Sequence, residues 1–176
     1  MAGHIAPLFC GRIEMKRFVL LILPIIFAGL LVSKGFAHRN SAPSFECFVC
    51  HTATEPQKTT IKATGIPKVY EPGKTYNITL SVESTLKSYG EVQGGFAAEA
   101  TAGELIATDA KNTQLSNGIM THTQEGSHYR KWSFSWKAPA TKMDAEIKVM
   151  VVAANGDFGA AGDAVTAELF IIKPKK

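Results

Sequence analysis

From Ile61 onward, hydrophobic and polar residues alternate with a period of two. Tyr76, Ile78, Leu80 and Val82 are separated by Asn77, Thr79 and Ser81. Trp132, Phe134 and Trp136 alternate with Ser133 and Ser135, and Ile147, Val149, Val151 and Ala153 alternate with Lys148 and the larger Met150. Successive side chains of an extended chain point to opposite faces, so each run predicts a strand with one face for a core and one for water. Weaker strands are expected at 96–100, 104–107, 119–123 and 165–172. Turn signals separate them: Glu71-Pro72-Gly73-Lys74, Gly94-Gly95, Ser116-Asn117-Gly118, Ala138-Pro139 and Asn155-Gly156-Asp157. About seven or eight short strands at this spacing predict an all-β, antiparallel sandwich of immunoglobulin-like kind. Trp132 and Trp136 are expected in its core. Residues 38–60, ahead of the first strand, have a loop-like composition.

Composition changes the picture at the N-terminus. Lys16-Arg17 precedes an uncharged run from Phe18 to Val32, interrupted by Pro24, and small residues follow at Gly35 and Ala37. A basic region, an apolar run and a small-residue site predict a secretory signal peptide, with cleavage after Ala37. The apolar run is shorter than the roughly 20 residues of a membrane span. An uncleaved N-terminal membrane anchor is the alternative, and it is the only expected membrane contact. Met15 suits the start of such a signal, so residues 1–14, with His4 and Cys10, read as a start-site artefact. The expected organisation is a signal peptide over 1–37, an attachment segment over 38–60 and a sandwich over 61–176. Most of the formal net charge of +4 lies in the N-terminal segment. No basic stripe with interleaved aromatics is present, which argues against a nucleic-acid partner.

The chemistry lies in Cys47-Phe48-Val49-Cys50-His51. Cys-x-x-Cys-His is the attachment signature of c-type haem. The two thiols add across the vinyl groups of one porphyrin edge, and the histidine offers its imidazole to the iron as proximal ligand. A redox dithiol would be expected within a βαβ pattern, which is missing. A zinc site needs a fourth ligand, and there is no second cysteine pair. A structural disulfide stays open in an exported protein. The expected cofactor is therefore one covalent haem c, bound by Cys47 and Cys50, with His51 on the iron. No Gly-x-Ser-x-Gly elbow or other catalytic constellation argues for an enzyme. Asp157 and Asp163, in a Gly-rich stretch, read as turn formers rather than calcium ligands.

The strand residues also carry a family resemblance. Gly65-Ile66-Pro67 and Tyr70-Glu71-Pro72-Gly73-Lys74-Thr75-Tyr76 are followed in order by Gly95-Phe96 and Thr121-His122-Thr123. Trp132-Ser133-Phe134-Ser135-Trp136-Lys137-Ala138-Pro139, Ala153-Ala154-Asn155-Gly156 and Gly162-Asp163 complete the series. Over roughly residues 61–172 the chain resembles the reeler domain, the N-terminal module of reelin, and most of all the bacterial reeler-like exported proteins in which a Cys-x-x-Cys-His segment precedes the same sandwich. The resemblance implies an immunoglobulin-like β-sandwich. It leaves the activity open, because reeler modules elsewhere serve in extracellular adhesion or sit beside membrane ferric reductases.

The second ligand of the iron would decide its chemistry. Met120 and His122 are two residues apart on an expected strand, so both should point to one face. His122 is the expected distal ligand, with Met120 and His38 as alternatives. His128, Met143 and Met150 read as surface, loop and sheet-packing residues. The function expected from these features is an exported monohaem cytochrome, periplasmic or extracellular, passing single electrons to redox partner proteins of the cell envelope. Two other readings stand beside it. One is a haem-based small-ligand binder or sensor; the other is an extracellular adhesion or structural module whose Cys47–Cys50 pair is a disulfide.

Overall fold

A computed structural model of the protein describes residues 40–55 and 57–176. The expected signal peptide and His38 lie outside the described residues. The described chain contains strands β1 (Thr59–Thr64), β2 (Val69–Tyr70), β3 (Thr75–Ser84), β4 (Gly94–Ala100), β5 (Glu104–Ile106), β6 (Thr113–Ser116), β7 (Ile119–His122), β8 (Lys131–Lys137), β9 (Ala145–Ala153) and β10 (Ala164–Pro174). One helical turn, α1 (Cys47–Cys50), precedes them, and a 3-10 turn spans Glu125–His128. One sheet runs β1-β3-β8-β5 and the other β2-β10-β9-β4-β7-β6. The chain is thus a reeler-like β-sandwich. All strand pairs are antiparallel except the short β2–β10 pair, which is parallel.

The alternating runs lie where the period of two places them. Ile78, Leu80 and Val82 of β3 and Trp132, Phe134 and Trp136 of β8 face Phe96, Ile147, Val149 and Val151 of the larger sheet across one core. Phe96 lies 4.9 Å from the Trp132 ring and 5.7 Å from that of Phe134, centroid to centroid. Both tryptophans are buried without leaving a donor unpaired. Trp132 Nε1 donates to the Gly126 carbonyl at 2.7 Å, and Trp136 Nε1 donates to that of Ala102 at 2.9 Å.

Three short strands had weak sequence signals. β1, β2 and β6 contain few apolar residues, and their pairing comes from neighbours. β6 and β7 are joined by Asn117-Gly118, both at positive φ (52° and 82°), the two-residue hairpin turn that asparagine and glycine favour. Gly94-Gly95, a turn signal in the sequence, instead lies inside β4. The period of two also fails in β9, where Met150 and Val152 are as buried as the core-facing residues between them. A polar outer face was expected there. The chain ahead of β1 covers part of it, with Ala42 and Phe45 packing on Ala97 and Ile119.

Candidate ligand pocket at the N-terminal segment

The segment carrying the cysteines is pinned to the outside of the larger sheet at two points. Upstream, the Ala42 amide donates to Thr121 Oγ1 at 2.9 Å, and the Thr121 hydroxyl in turn donates to the Phe96 carbonyl at 2.6 Å. Gln114 Nε2 adds a bond to the Asn40 carbonyl. Downstream, Thr52 bridges to the β9–β10 loop. Its amide donates to the Ala160 carbonyl at 3.3 Å, and its carbonyl accepts from Gly162 N–H at 2.7 Å. Between these anchors the chain makes its single helical turn, closed by His51 N–H donating to the Cys47 carbonyl at 2.9 Å.

A cleft of about 830 Å³, its open mouth included, lies between this segment and the sheet. Cys47, Cys50 and His51 form part of one wall, and Gly95, His122 and Val152 are among the residues of the rest. Cys50 is exposed and Cys47 half-buried. Burial pushes the Cys47 thiol up to about 11; its backbone hydrogen bond opposes that rise and the neighbouring Cys50 adds to it.

His51 is held by a residue whose Gly-rich sequence context reads as a turn. Its Nδ1 lies 2.7 Å from Oδ2 of Asp163, a carboxylate with 1% of its surface exposed. Asp163 Oδ1 accepts the Asn155 amide at 2.9 Å. The Arg130 guanidinium, fixed by the carbonyls of Gln93, Leu86 and Ala154, contributes a compensating positive charge. Burial pulls its pKa below the ordinary range, and Asp163 counteracts that. A histidine whose Nδ1 is bound to a carboxylate presents Nε2 as its ligating nitrogen, as in metal sites with an outer carboxylate. The donor set therefore fits a haem c: two thiols one helical turn apart, with an oriented imidazole beside them.

His122 enters the same pocket by an irregular route. The β4–β7 ladder consists of Ala97↔Thr121 and Ala98↔Met120 and stops there. One step further, Phe96 N–H donates to His122 Nδ1 at 3.2 Å instead of to a backbone carbonyl. The ring lies over Gly95, where a Cβ would come within 2.5 Å of Cε1. A side chain at Gly95 and this imidazole cannot share the space, which explains a glycine inside a strand.

Cys47, Cys50, His51 and His122, distant in sequence, thus line one pocket. Met120 does not join them: it is fully buried in the sandwich core with Phe96. The expectation that it shares a face with His122 is corrected, because the ladder ends between them and the imidazole folds back over β4. His128 ends the 3-10 turn outside the pocket lining, with a buried Nε2 lacking a hydrogen-bond partner. Met143 is exposed in a loop whose backbone binds the Tyr70 hydroxyl, and Met150 packs on the sheet. Sequence reasoning missed the roles of Asp163, Gly95 and Thr121. The only signals were a lone acidic residue after glycine and a glycine pair, both of which also describe turns.

No protein-family profile matches the chain, and no curated protein does. Solved structures do resemble it. The human F-spondin reeler domain is 19% identical, with a TM-score of 0.42, over 72% of this chain and 85% of its own. A lipoprotein from Bacteroides thetaiotaomicron is 14% identical, with a TM-score of 0.48, over 71% and 86%. AggA, the major subunit of aggregative adherence fimbriae type I from Escherichia coli, is 10% identical, with a TM-score of 0.36, over 71% and 99%. At these levels the likeness is one of fold.

The expected monohaem electron carrier is corrected on these findings. The solved structures are reeler, lipoprotein and fimbrial modules, and among the described residues no group of three or more His, Cys, Asp or Glu is gathered to hold a metal ion. Physically, the described sandwich is filled by its own side chains.

Proposed function

We propose that the chain is an exported or envelope-associated, non-enzymatic module that binds a small ligand through a haem c seated in this pocket, on the periplasmic or extracellular side of the membrane. The observation that supports this reading is the convergence of Cys47, Cys50 and a carboxylate-anchored His51 on the wall of one cleft. Cys47 and Cys50 would hold the porphyrin edge, and His51 Nε2 would take the iron. Bound there, haem supplies an iron centre able to take up a small ligand. The protein does the rest: Asp163 fixes the orientation of His51, the Thr121 and Thr52 anchors keep the thiols at the cleft, and the sheet forms its floor. Among the described residues no helix is long and apolar enough to cross a membrane.

The test is secretion from a host with a cytochrome c maturation system, followed by a pyridine haemochrome spectrum and an intact mass. One haem per chain is expected, with covalent attachment abolished by replacing Cys47 and Cys50 together with alanine. A haem-free protein two hydrogens lighter than the dithiol form would overturn the reading. It would leave a structural or adhesion module in which Cys47 and Cys50 form a disulfide.

A further inference from the structure

A line of hydrogen bonds runs from Arg130 to His51. Arg130 Nη2 donates to the Ala154 carbonyl at 3.0 Å. The N–H of the same peptide unit, that of Asn155, donates to Asp163 Oδ1 at 2.9 Å. The other carboxylate oxygen, Oδ2, lies 2.7 Å from His51 Nδ1. Cation, peptide dipole, carboxylate and imidazole therefore stand in series. Asp163 is 1% exposed, so water screens its charge little. The guanidinium is fixed at its other nitrogens, with Nε donating to the Gln93 carbonyl at 2.9 Å and Nη1 to that of Leu86 at 2.8 Å. Hydrogen bonds in such a series polarise one another. Orienting the ring needs only the carboxylate. A fixed cation behind it, reached through one peptide, also adjusts how strongly that carboxylate draws on the ring.

We infer that Asp163 and Arg130 act in opposition on His51, and together set the oxidation state in which the pocket meets its small ligand. This rests on the reading that the pocket holds haem c. An imidazole that ligates through Nε2 keeps its proton on Nδ1, and here donates it to Asp163. By accepting that bond Asp163 raises the basicity of the ring, and a more basic ligand favours ferric over ferrous iron. Arg130 works against this, because its charge stabilises the carboxylate and weakens the pull on Nδ1–H. Asp163 is thus a positioning residue that acts through His51, and Arg130 is one that acts through Asp163.

The test is a redox titration of the full chain, followed by its visible spectrum, after haem loading has been established by haemochrome. In Asp163→Asn the ferrous state is expected to gain about tenfold, the scale of such outer-shell substitutions, which raises the midpoint by about 59 mV. In Arg130→Gln the midpoint is expected to fall, while Arg130→Lys, which disturbs the same hydrogen bonds but keeps the charge, stays near the native value. Asp157→Asn removes an exposed carboxylate from the same loop and is expected to change nothing. A merely structural role would open the pocket in both the asparagine and the glutamine variant and shift both midpoints the same way. Shifts of one sign, a reversed pair, or a native midpoint in either variant would therefore overturn the inference. So would a shift in Asp157→Asn as large as that in Asp163→Asn. If Asp163→Asn fails to take up haem, the Arg130 pair decides: a fall in the glutamine variant alone supports the inference, and any other pattern defeats it. Absence of a haemochrome band from the native protein would instead remove the haem reading, and this inference with it.

Discussion

Asp163 is a buried carboxylate compensated from three directions: the His51 ring, the Asn155 amide and the Arg130 guanidinium. Removing its charge while keeping its shape leaves Arg130 without a counter-charge and weakens the bond to His51. Asp163→Asn is expected to lower unfolding free energy by about 1.5–3 kcal/mol, the range for hydrogen bonds to charged groups, measured by denaturant titration of the haem-free protein. Cys47 makes a separate prediction. Its folded pKa, raised by burial from 9.0 to about 11, lies above the unfolded value. Between those two values the unfolded chain releases the proton first, so stability is unaffected below pH 9 and falls as pH rises toward 11. Haem-free, reduced protein should show that fall in denaturation midpoint, and Cys47→Ser should abolish it.

At the scale of elements, the N-terminal segment behaves as a strap over the larger sheet. Among the described residues it has no sheet pairing beyond the bridge at Thr52, so its position depends on a few contacts. Thr121 is central, linking the Ala42 amide to the Phe96 carbonyl. Thr121→Val keeps the shape and deletes the hydroxyl, leaving the Ala42 amide without its partner at a cost of about 1–3 kcal/mol. Hydrogen exchange should then accelerate at Ala42 and through Cys47–His51, while β3, β8 and β9 keep their protection. Uniform acceleration across the sandwich would contradict this picture of the strap. The strap was only partly legible in the sequence. Its loop-like composition was plain, but Ala42 and Phe45 have no periodicity that would mark them as packing residues. Met150 departs from the alternation in the sequence, but nothing local shows that the strap covers part of that sheet face.

For the molecule as a whole, stability rests on the aromatic layer between the sheets. Trp136 is fully buried, edge-on to Tyr70 at 5.6 Å, and its indole N–H is satisfied by Ala102. Trp136→Ala is expected to cost about 3–5 kcal/mol in a cooperative unfolding transition followed by circular dichroism. A loss below about 1 kcal/mol would mean that the layer is not the core described here. The strands of this layer were readable from sequence because alternation is a local property: Tyr76 to Val82, Trp132 to Trp136 and Ile147 to Ala153 each carry their own period. The spacing of Cys47, Cys50 and His51 is equally local, contained within five residues. The pairing of His51 with Asp163, the seat of His122 over Gly95 and the separation of Met120 from the pocket were not readable. Each joins residues far apart in the chain or depends on where a ladder ends, and only the packing of one sheet against the strap across it decides such contacts.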